Sequence, residues 1–185
     1  MPKIDDKRPF VPVRIAVLTV SDTRGAGDDK SGDTLAQLIA TAGHQLAGRA
    51  IVKDDVAQIR TKVEAWIADP AIDVVITTGG TGFTGRDVTP EALKPLFEKE
   101  IEGFSTVFHM ISFQKVATST IQSRACAGLA RGTYIFCLPG SPGACRDAWS
   151  DILRWQLDNR HRPCNFVELM PRLQEHLTAK PKATV

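Results

Sequence analysis

Residues 72–92, IDVVITTGGTGFTGRDVTPEA, decide the fold. The stretch begins with a short apolar run, Ile72-Asp73-Val74-Val75-Ile76, whose β-branched residues read as a buried strand. Small residues follow, Thr77-Thr78-Gly79-Gly80-Thr81-Gly82, a loop in which bare backbone amides can approach a ligand closely. Arg86 and Asp87 come next, then a helix start. Thr89 is placed to cap that helix through its hydroxyl, and Pro90 suits the first helical position, where its missing N–H has no partner to lose. Strand, open loop, charged pair and helix N-terminus thus converge. In an open parallel sheet, phosphates bind at such a place, at the carboxyl end of a strand.

Two stock motifs compete for this stretch. Gly80-Thr81-Gly82-Phe83-Thr84-Gly85 fits G-x-G-x-x-G letter by letter. A dinucleotide fingerprint, however, follows the first strand and opens straight into a helix. Here the glycines follow a later strand and run into Arg-Asp-Val-Thr-Pro, which disfavours a nicotinamide dehydrogenase. No Gly-Lys-Ser/Thr follows them, so the nucleoside-triphosphate P-loop is absent. A ligand-free turn is disfavoured by Arg86 and Asp87, because a plain turn needs no fixed charges of both signs beside bare backbone.

TTGGTG followed by RDVTPEA resembles the core signature of the molybdenum cofactor biosynthesis proteins of the MoaB/MogA type. Plant and animal molybdopterin adenylyltransferase domains, including the G domain of gephyrin, share that signature. The similarity runs over about residues 13–167. Arg162-Pro163-Cys164-Asn165-Phe166 and Cys137-Leu138-Pro139-Gly140-Ser141 point to the MoaB branch.

The chain has 185 residues, enough for one domain with a sizeable core. Its net charge of +2 is too small to suggest general nucleic-acid binding. No apolar run is long enough to span a membrane. The polar, charged N-terminus, Met1-Pro2-Lys3-Ile4-Asp5-Asp6-Lys7-Arg8, has no signal-peptide core, so a cytoplasmic location is expected. Cys126, Cys137, Cys145 and Cys164 show no paired metal spacing and read as free buried thiols.

Strand and helix patterns alternate along the chain. The expectation is a single-domain α/β fold, a three-layer α/β/α sandwich around a mostly parallel sheet. Residues 1–12 read as a loose arm, 13–170 as the domain and 171–185 as a tail with a mobile end. Val13–Val20 is the first strand, ending in a polar loop that opens with Ser21 and Asp22. Those two either face a ligand or serve the turn. Ser31 is expected to cap the next helix and Gly43 to end it. A second strand lies within residues 44–53, with Ala50-Ile51-Val52 as its core. Asp54 and Asp55 then precede a helix that Pro70 stops, and Asp55 is read as its cap.

After the central loop comes a helix bearing Leu93, Leu96 and Phe97, with Gly103 as a break. An apolar stripe of Phe104, Val107, Phe108 and Ile111 follows and suits core or a subunit contact. His109 has no second ligand at helical spacing, so no metal role is expected. Residues 118–124 are expected to lead into a helix ending near Gly132. Thr133–Leu138 is another buried strand. Pro139-Gly140-Ser141-Pro142-Gly143 repeats the earlier logic, a tight turn with Ser as cap and Pro at the first helical position, and so a second anion site. Residues 158–170 read as extended.

The resemblance adds a chemistry to this frame. It implies transfer of adenylate from ATP to molybdopterin, releasing pyrophosphate, with magnesium as cofactor. It marks Asp54 and Asp87 as the catalytic, metal-binding carboxylates. It favours a ligand role for Ser21, with Gly79, Gly80, Thr81 and Gly82 cradling nucleotide phosphates. Ser123 and Arg124 match the segment bordering the substrate site, and Pro139, Gly140 and Ser141 would meet the pterin. The chain departs from the family pattern at Ala117, where Pro is common, and at Gln122, where Leu is common. The resemblance also implies a homo-oligomer, a trimer or a hexamer of paired trimers. A carrier that holds molybdopterin without adenylylating it, and a scaffold, are the competing readings within the family.

Overall fold

The computed structural model describes residues 3–25 and 27–178. In chain order, β1 (Lys3–Ile4) and β2 (Arg14–Val20) precede α1 (Lys30–Thr41), β3 (Gln45–Val52), α2 (Val56–Ile67) and β4 (Val74–Thr78). Then come α3 (Thr89–Leu93), a 3₁₀ turn (Lys94–Leu96), β5 (Lys99–Glu100) and α4 (Glu102–Val116). A 3₁₀ segment (Ala117–Gln122) leads to β6 (Cys126–Ala130) and β7 (Thr133–Leu138). α5 (Pro142–Ala148) continues through a π-helical turn (Trp149–Leu153) into α6 (Arg154–Gln156). β8 (His161–Arg162), α7 (Phe166–Leu169), a 3₁₀ turn (Met170–Arg172) and α8 (Glu175–Thr178) complete the described residues.

One sheet runs in the order β3-β2-β4-β7-β6-β5. β3, β2, β4 and β7 pair in parallel, while β6 is antiparallel to β7 and β5 to β6. Successive strand residues point to opposite faces, and the apolar runs sort accordingly. Ile15, Val17, Val74, Ile76, Tyr134 and Phe136 pack on one face with Leu35, Ile39, Phe104, Phe108 and Trp149, from α1, α4 and the helix after β7. Ala16, Leu18, Val75, Ile135 and Cys137 pack on the other with Ile59, Val63 and Leu93, from α2 and α3. The result is the expected three-layer α/β/α sandwich. Among the described residues, no helix is long and apolar enough to cross a membrane.

Several local expectations need correction. Residues 126–130 form strand β6, not a helix. The small residues of this stretch serve strand packing: a Cβ on Gly128 would lie 2.2 Å from Cγ of Phe97. Thr77 and Thr78 belong to the strand rather than the loop. α1 is capped by Asp29, which accepts from the Gly32 amide at 3.0 Å, while Ser31 lies buried inside the helix. Thr89 does not cap α3. It sits within the first turn, and its hydroxyl donates to the Gly79 carbonyl at 2.9 Å. Gly103 lies inside α4 and does not break it. Cys126, Cys137 and Cys145 are buried free thiols as expected, but Cys164 is exposed.

Residues 3–8 dock more closely than a loose arm would. β1 pairs with β8 in an antiparallel ribbon, and Arg8 donates to the Asn159 carbonyl at 2.8 Å and pairs with Glu168. Residues 158–170 are therefore extended only in part, since α7 lies within them. Of the expected tail, residues 171–178 form helical turns, and the mobile end expected over 180–185 lies outside the described residues.

Arg14 pins the amino ends of β2 and β4 to each other. Its guanidinium meets Asp73 at 2.9 and 2.6 Å, and its amide donates to the same carboxylate at 2.9 Å. Burial pushes the Asp73 carboxyl up, but the Arg14 hydrogen bonds and charge outweigh it and hold the group below its ordinary range. A depressed folded value contributes stability above the unfolded value of about 3.9 and loses it as pH falls through the folded value. Asp73→Asn is therefore expected to cost about 1 kcal/mol near neutral pH, with the difference closing below about pH 4 in urea titrations of both proteins.

Candidate functional site

The carboxyl ends of β2, β4 and β7 lie side by side, and the loops after them form the site. β4 ends in two left-handed glycines, Gly79 at φ 108° and Gly80 at φ 64°. A side chain is also excluded by space at Gly79, where a Cβ would stand 2.1 Å from the Val20 carbonyl oxygen. The Gly79 amide donates to the Leu138 carbonyl at 3.0 Å, and the Thr89 amide donates to the Gly80 carbonyl at 2.9 Å. These bonds lock the loop to β7 and to α3. At Gly140 an added Cβ would lie 3.1 Å from Cα of Gly79, so the two glycine loops meet backbone to backbone. Ser141 caps α5, accepting from the Ala144 amide at 3.1 Å, with Pro142 at the first helical position as expected.

Asp87 hangs over the first loop. Its Oδ2 accepts from the Thr84 amide at 2.9 Å and the Thr84 hydroxyl at 2.6 Å. Burial raises its proton affinity, but those bonds, the Gly82 amide and the Arg124 charge prevail and hold the carboxyl below its ordinary range. Asp54 differs. Burial pushes it up, and the Asp22 and Asp87 charges push it further. An added Cβ on Gly80 would lie 3.0 Å from Asp54 Oδ1, and one on Gly82 would lie 2.8 Å from Asp87 Oδ2. Both carboxylates thus border the bare backbone of one loop. Asp55 caps α2, accepting from Gln58 at 2.8 Å, as expected.

Arg124 is committed to the loop itself. Nε donates to the Gly82 carbonyl at 2.8 Å, Nη2 to the Asp87 carbonyl at 2.8 Å, and Nη1 pairs with Glu91. Its amide donates to the Thr81 carbonyl at 2.8 Å. His109 lies between two carbonyls, Ser105 at 2.6 Å from Nδ1 and Ser123 at 3.0 Å from Nε2, a structural role for that imidazole. A planar fork is needed to reach three acceptors, and an ammonium cannot supply it. Arg124→Lys is therefore expected to cost roughly 1.5–3 kcal/mol, the range for hydrogen bonds involving charged groups. Hydrogen exchange should rise mainly over residues 80–88.

Sequence left Asp22 open between a ligand contact and a turn residue, and gave no signal for Arg24. Asp22 accepts from Arg86 Nε at 2.8 Å and from the Asp54 amide at 3.3 Å, so it ties the β2 loop to the β4 loop. Its carboxyl is held low chiefly by that Arg86 hydrogen bond. Arg24 donates to the Gly140 carbonyl at 2.9 Å and to the Ser31 hydroxyl at 3.1 Å. Ser21 accepts from the Thr23 and Arg24 amides at 3.3 and 3.2 Å, which serves the turn and leaves its own proton to donate. Ser21, Asp22, Arg24, Arg49, Lys53 and Gln58 line a cleft of about 750 Å³. The structure thus brings Ser21, Asp54, Gly79, Gly80, Gly82, Asp87, Arg124 and Gly140 to one edge of the sheet, with Thr81, Ser123, Pro139 and Ser141 on the same loops.

A family described as "Probable molybdopterin binding domain" matches residues 16–159. The chain belongs to the molybdenum cofactor biosynthesis family. It is 55% identical to molybdenum cofactor biosynthesis protein B of Escherichia coli (strain K12) over 157 residues, 85% of this chain and 92% of that protein. A crystal structure of a molybdenum cofactor biosynthesis protein B superposes with a TM-score of 0.82 at 37% identity, covering 91% of this chain and 99% of that one. The tungsten cofactor synthesizing protein MoaB from Pyrococcus furiosus superposes at 0.69 with 36% identity, covering 77% of this chain and 91% of that one. These B-type relatives agree with the branch that Arg162-Pro163-Cys164-Asn165-Phe166 and Cys137-Leu138-Pro139-Gly140-Ser141 indicated.

Proposed function

We propose that the chain transfers adenylate from ATP to molybdopterin, acting in molybdenum cofactor biosynthesis in the cytoplasm. The observation that carries this reading is the contact of the Gly79 and Gly140 loops, with Asp54 and Asp87 bordering the first of them. Two backbone-lined anion sites back to back suit two phosphorylated substrates, or one substrate with phosphates at both ends. A phosphate oxygen of molybdopterin attacks the α-phosphorus of ATP, the α–β bridging bond breaks, and pyrophosphate leaves. No side-chain nucleophile is required. The protein aligns two anions that repel and meets the charge that grows on the leaving group.

The amides of Gly79, Gly80 and Gly82 with the Thr81 hydroxyl hold nucleotide phosphates in this scheme, and Ser21 donates from the neighbouring cleft. Pro139, Gly140 and Ser141 meet the pterin. Ser123 borders that half, while Arg124 holds the nucleotide loop in shape through the carbonyls of Gly82 and Asp87. The residues fit a magnesium ion: Asp54 and Asp87 are hard oxygen donors beside uncrowded backbone. Asp54, raised by burial and then by the Asp22 and Asp87 charges, sits amid negative charge that a cation would offset. Among the described residues no group of three or more His, Cys, Asp or Glu could hold a metal, so nucleotide phosphates would complete the shell. Bound there, magnesium would neutralise phosphate charge during transfer.

The test is a single-turnover mixture of the protein with molybdopterin, magnesium and ATP, with adenylylated pterin and pyrophosphate quantified. Micromolar pterin binding without product would instead support a carrier.

We also propose that the chain forms a homotrimer, or a hexamer of paired trimers, through the outer face of α4. The stripe expected there is split by the structure. Phe104 and Phe108 are core, whereas Val107, Met110, Phe113 and Val116 are exposed, Met110 by 63% and Phe113 by 56%. Met110→Glu with Phe113→Glu should shift the sedimenting species to monomer. Unchanged sedimentation would place the interface elsewhere.

A further inference from the structure

Cys126 and Cys137 stand directly opposite each other across the antiparallel pair β6–β7. Both side chains lie on the same face of the sheet, in the cluster under α2 and α3. Facing residues of an antiparallel pair have Cα atoms about 4.5–5.5 Å apart, and a disulfide spans about 4.4–6.8 Å. The two sulfurs can therefore be bridged without moving either strand far. The adenylyl-transfer scheme uses neither thiol.

We propose that Cys126 and Cys137 are a dithiol–disulfide pair, oxidised by hydrogen peroxide into a cross-strand link beneath the groove. The pair is asymmetric. Cys126 is 3% exposed and lies at the strand end nearer Lys94 and Arg124, whereas Cys137 is fully buried. The hydrogen bond between the sulfurs, helped by the Lys94 charge, holds the Cys126 thiol below its ordinary range, and Cys137 is pushed up by that bond and by burial. Cys126 is thus the attacking sulfur.

Its thiolate attacks one peroxide oxygen, the O–O bond breaks, and the departing hydroxide takes the thiol's proton to give water. Cys137 then attacks the resulting sulfenic sulfur. The S–O bond breaks, the S–S bond forms, and a second water carries off the Cys137 proton. Two thiols lose one electron each to a single peroxide. The link would join the strand that begins just after Arg124 to the strand that ends just before Pro139, so both loops of the groove would share one covalent brace.

The test uses the Cys164→Ser variant, which removes the one exposed thiol among the four cysteines. The folded protein is treated with excess hydrogen peroxide, then denatured and alkylated. The expected product is two hydrogens lighter before alkylation, carries label on Cys145 alone, and yields a linked Cys126–Cys137 peptide that dithiothreitol reverses. A parallel wild-type sample, in which oxidation of Cys164 is read by mass, fixes the effective dose. The proposal is overturned if all three thiols take label at that dose. It is also overturned if Cys126 or Cys137 gains oxygen without a linked peptide, or if the link forms only in denaturant.

Discussion

Asp87→Asn is expected to slow single-turnover adenylyl transfer by roughly a hundredfold to several thousandfold, about 3–5 kcal/mol of transition-state stabilisation, while the chain stays folded. The side chain does two jobs that asparagine separates. One is local: Oδ2 accepts from the Thr84 amide and hydroxyl, and an amide oxygen can still accept both. The other is charge, which asparagine removes from the place where two phosphorylated substrates meet. A thermal midpoint close to wild type with a collapsed rate is therefore the expected pair of results. Asp54→Asn should act in the same direction, since Asp54 feels the Asp87 charge. A loss smaller than about fivefold for Asp87→Asn, with the fold intact, would remove this residue from the mechanism.

Gly79→Ala is expected to destabilise the chain by about 2–5 kcal/mol, out of the roughly 5–15 kcal/mol typical of a domain. Two independent costs add. Its φ of 108° lies where L-residues are strained, worth about 1–2 kcal/mol. The new methyl would also stand 2.1 Å from the Val20 carbonyl oxygen, so β2 and β4 must part, an overpacking cost of about 1–3 kcal/mol. The midpoint of urea unfolding measures this, and the Gly79 amide bond to Leu138 should become the weakest part of the sheet in hydrogen exchange. Gly85→Ala is the control: a Cβ there meets nothing within 4 Å, and no shift is expected.

The sequence reading went furthest where burial, on one face of a helix or both faces of a strand, makes the apolar signal repeat. Val13–Val20, Ile72–Ile76 and Thr133–Leu138 were legible as strands because both faces are covered, which forces continuous apolar runs. The helices Lys30–Thr41 and Val56–Ile67 were legible from apolar spacing, and their ends from Gly43 and Pro70. β6 was missed because its residues answer to a neighbour distant in sequence: Gly128 is small to admit Phe97, and composition records only the smallness. The caps assigned to Ser31 and Thr89 fell to the same limit. Both residue types cap readily, but Thr89 is drawn instead to the carbonyl of Gly79, and Asp29 takes the cap two residues before Ser31.

At the groove the division is sharper. Sequence alone determined the backbone chemistry: glycines after a buried strand, a charged pair, and serine and proline opening a helix are local features, readable without a partner. Asp54, Asp87 and Ser21 came with the family resemblance that those features carried. Only the tertiary structure decided that Arg124 is a clamp on three backbone and side-chain acceptors, that Arg24 bridges to Gly140, and that Asp22 ties Arg86 across to the first loop. Those roles rest on pairs separated by tens to more than a hundred positions along the chain. Nothing in a linear pattern states which acceptor a long cationic side chain will meet, because the parallel sheet, by placing the ends of β2, β4 and β7 side by side, makes that choice.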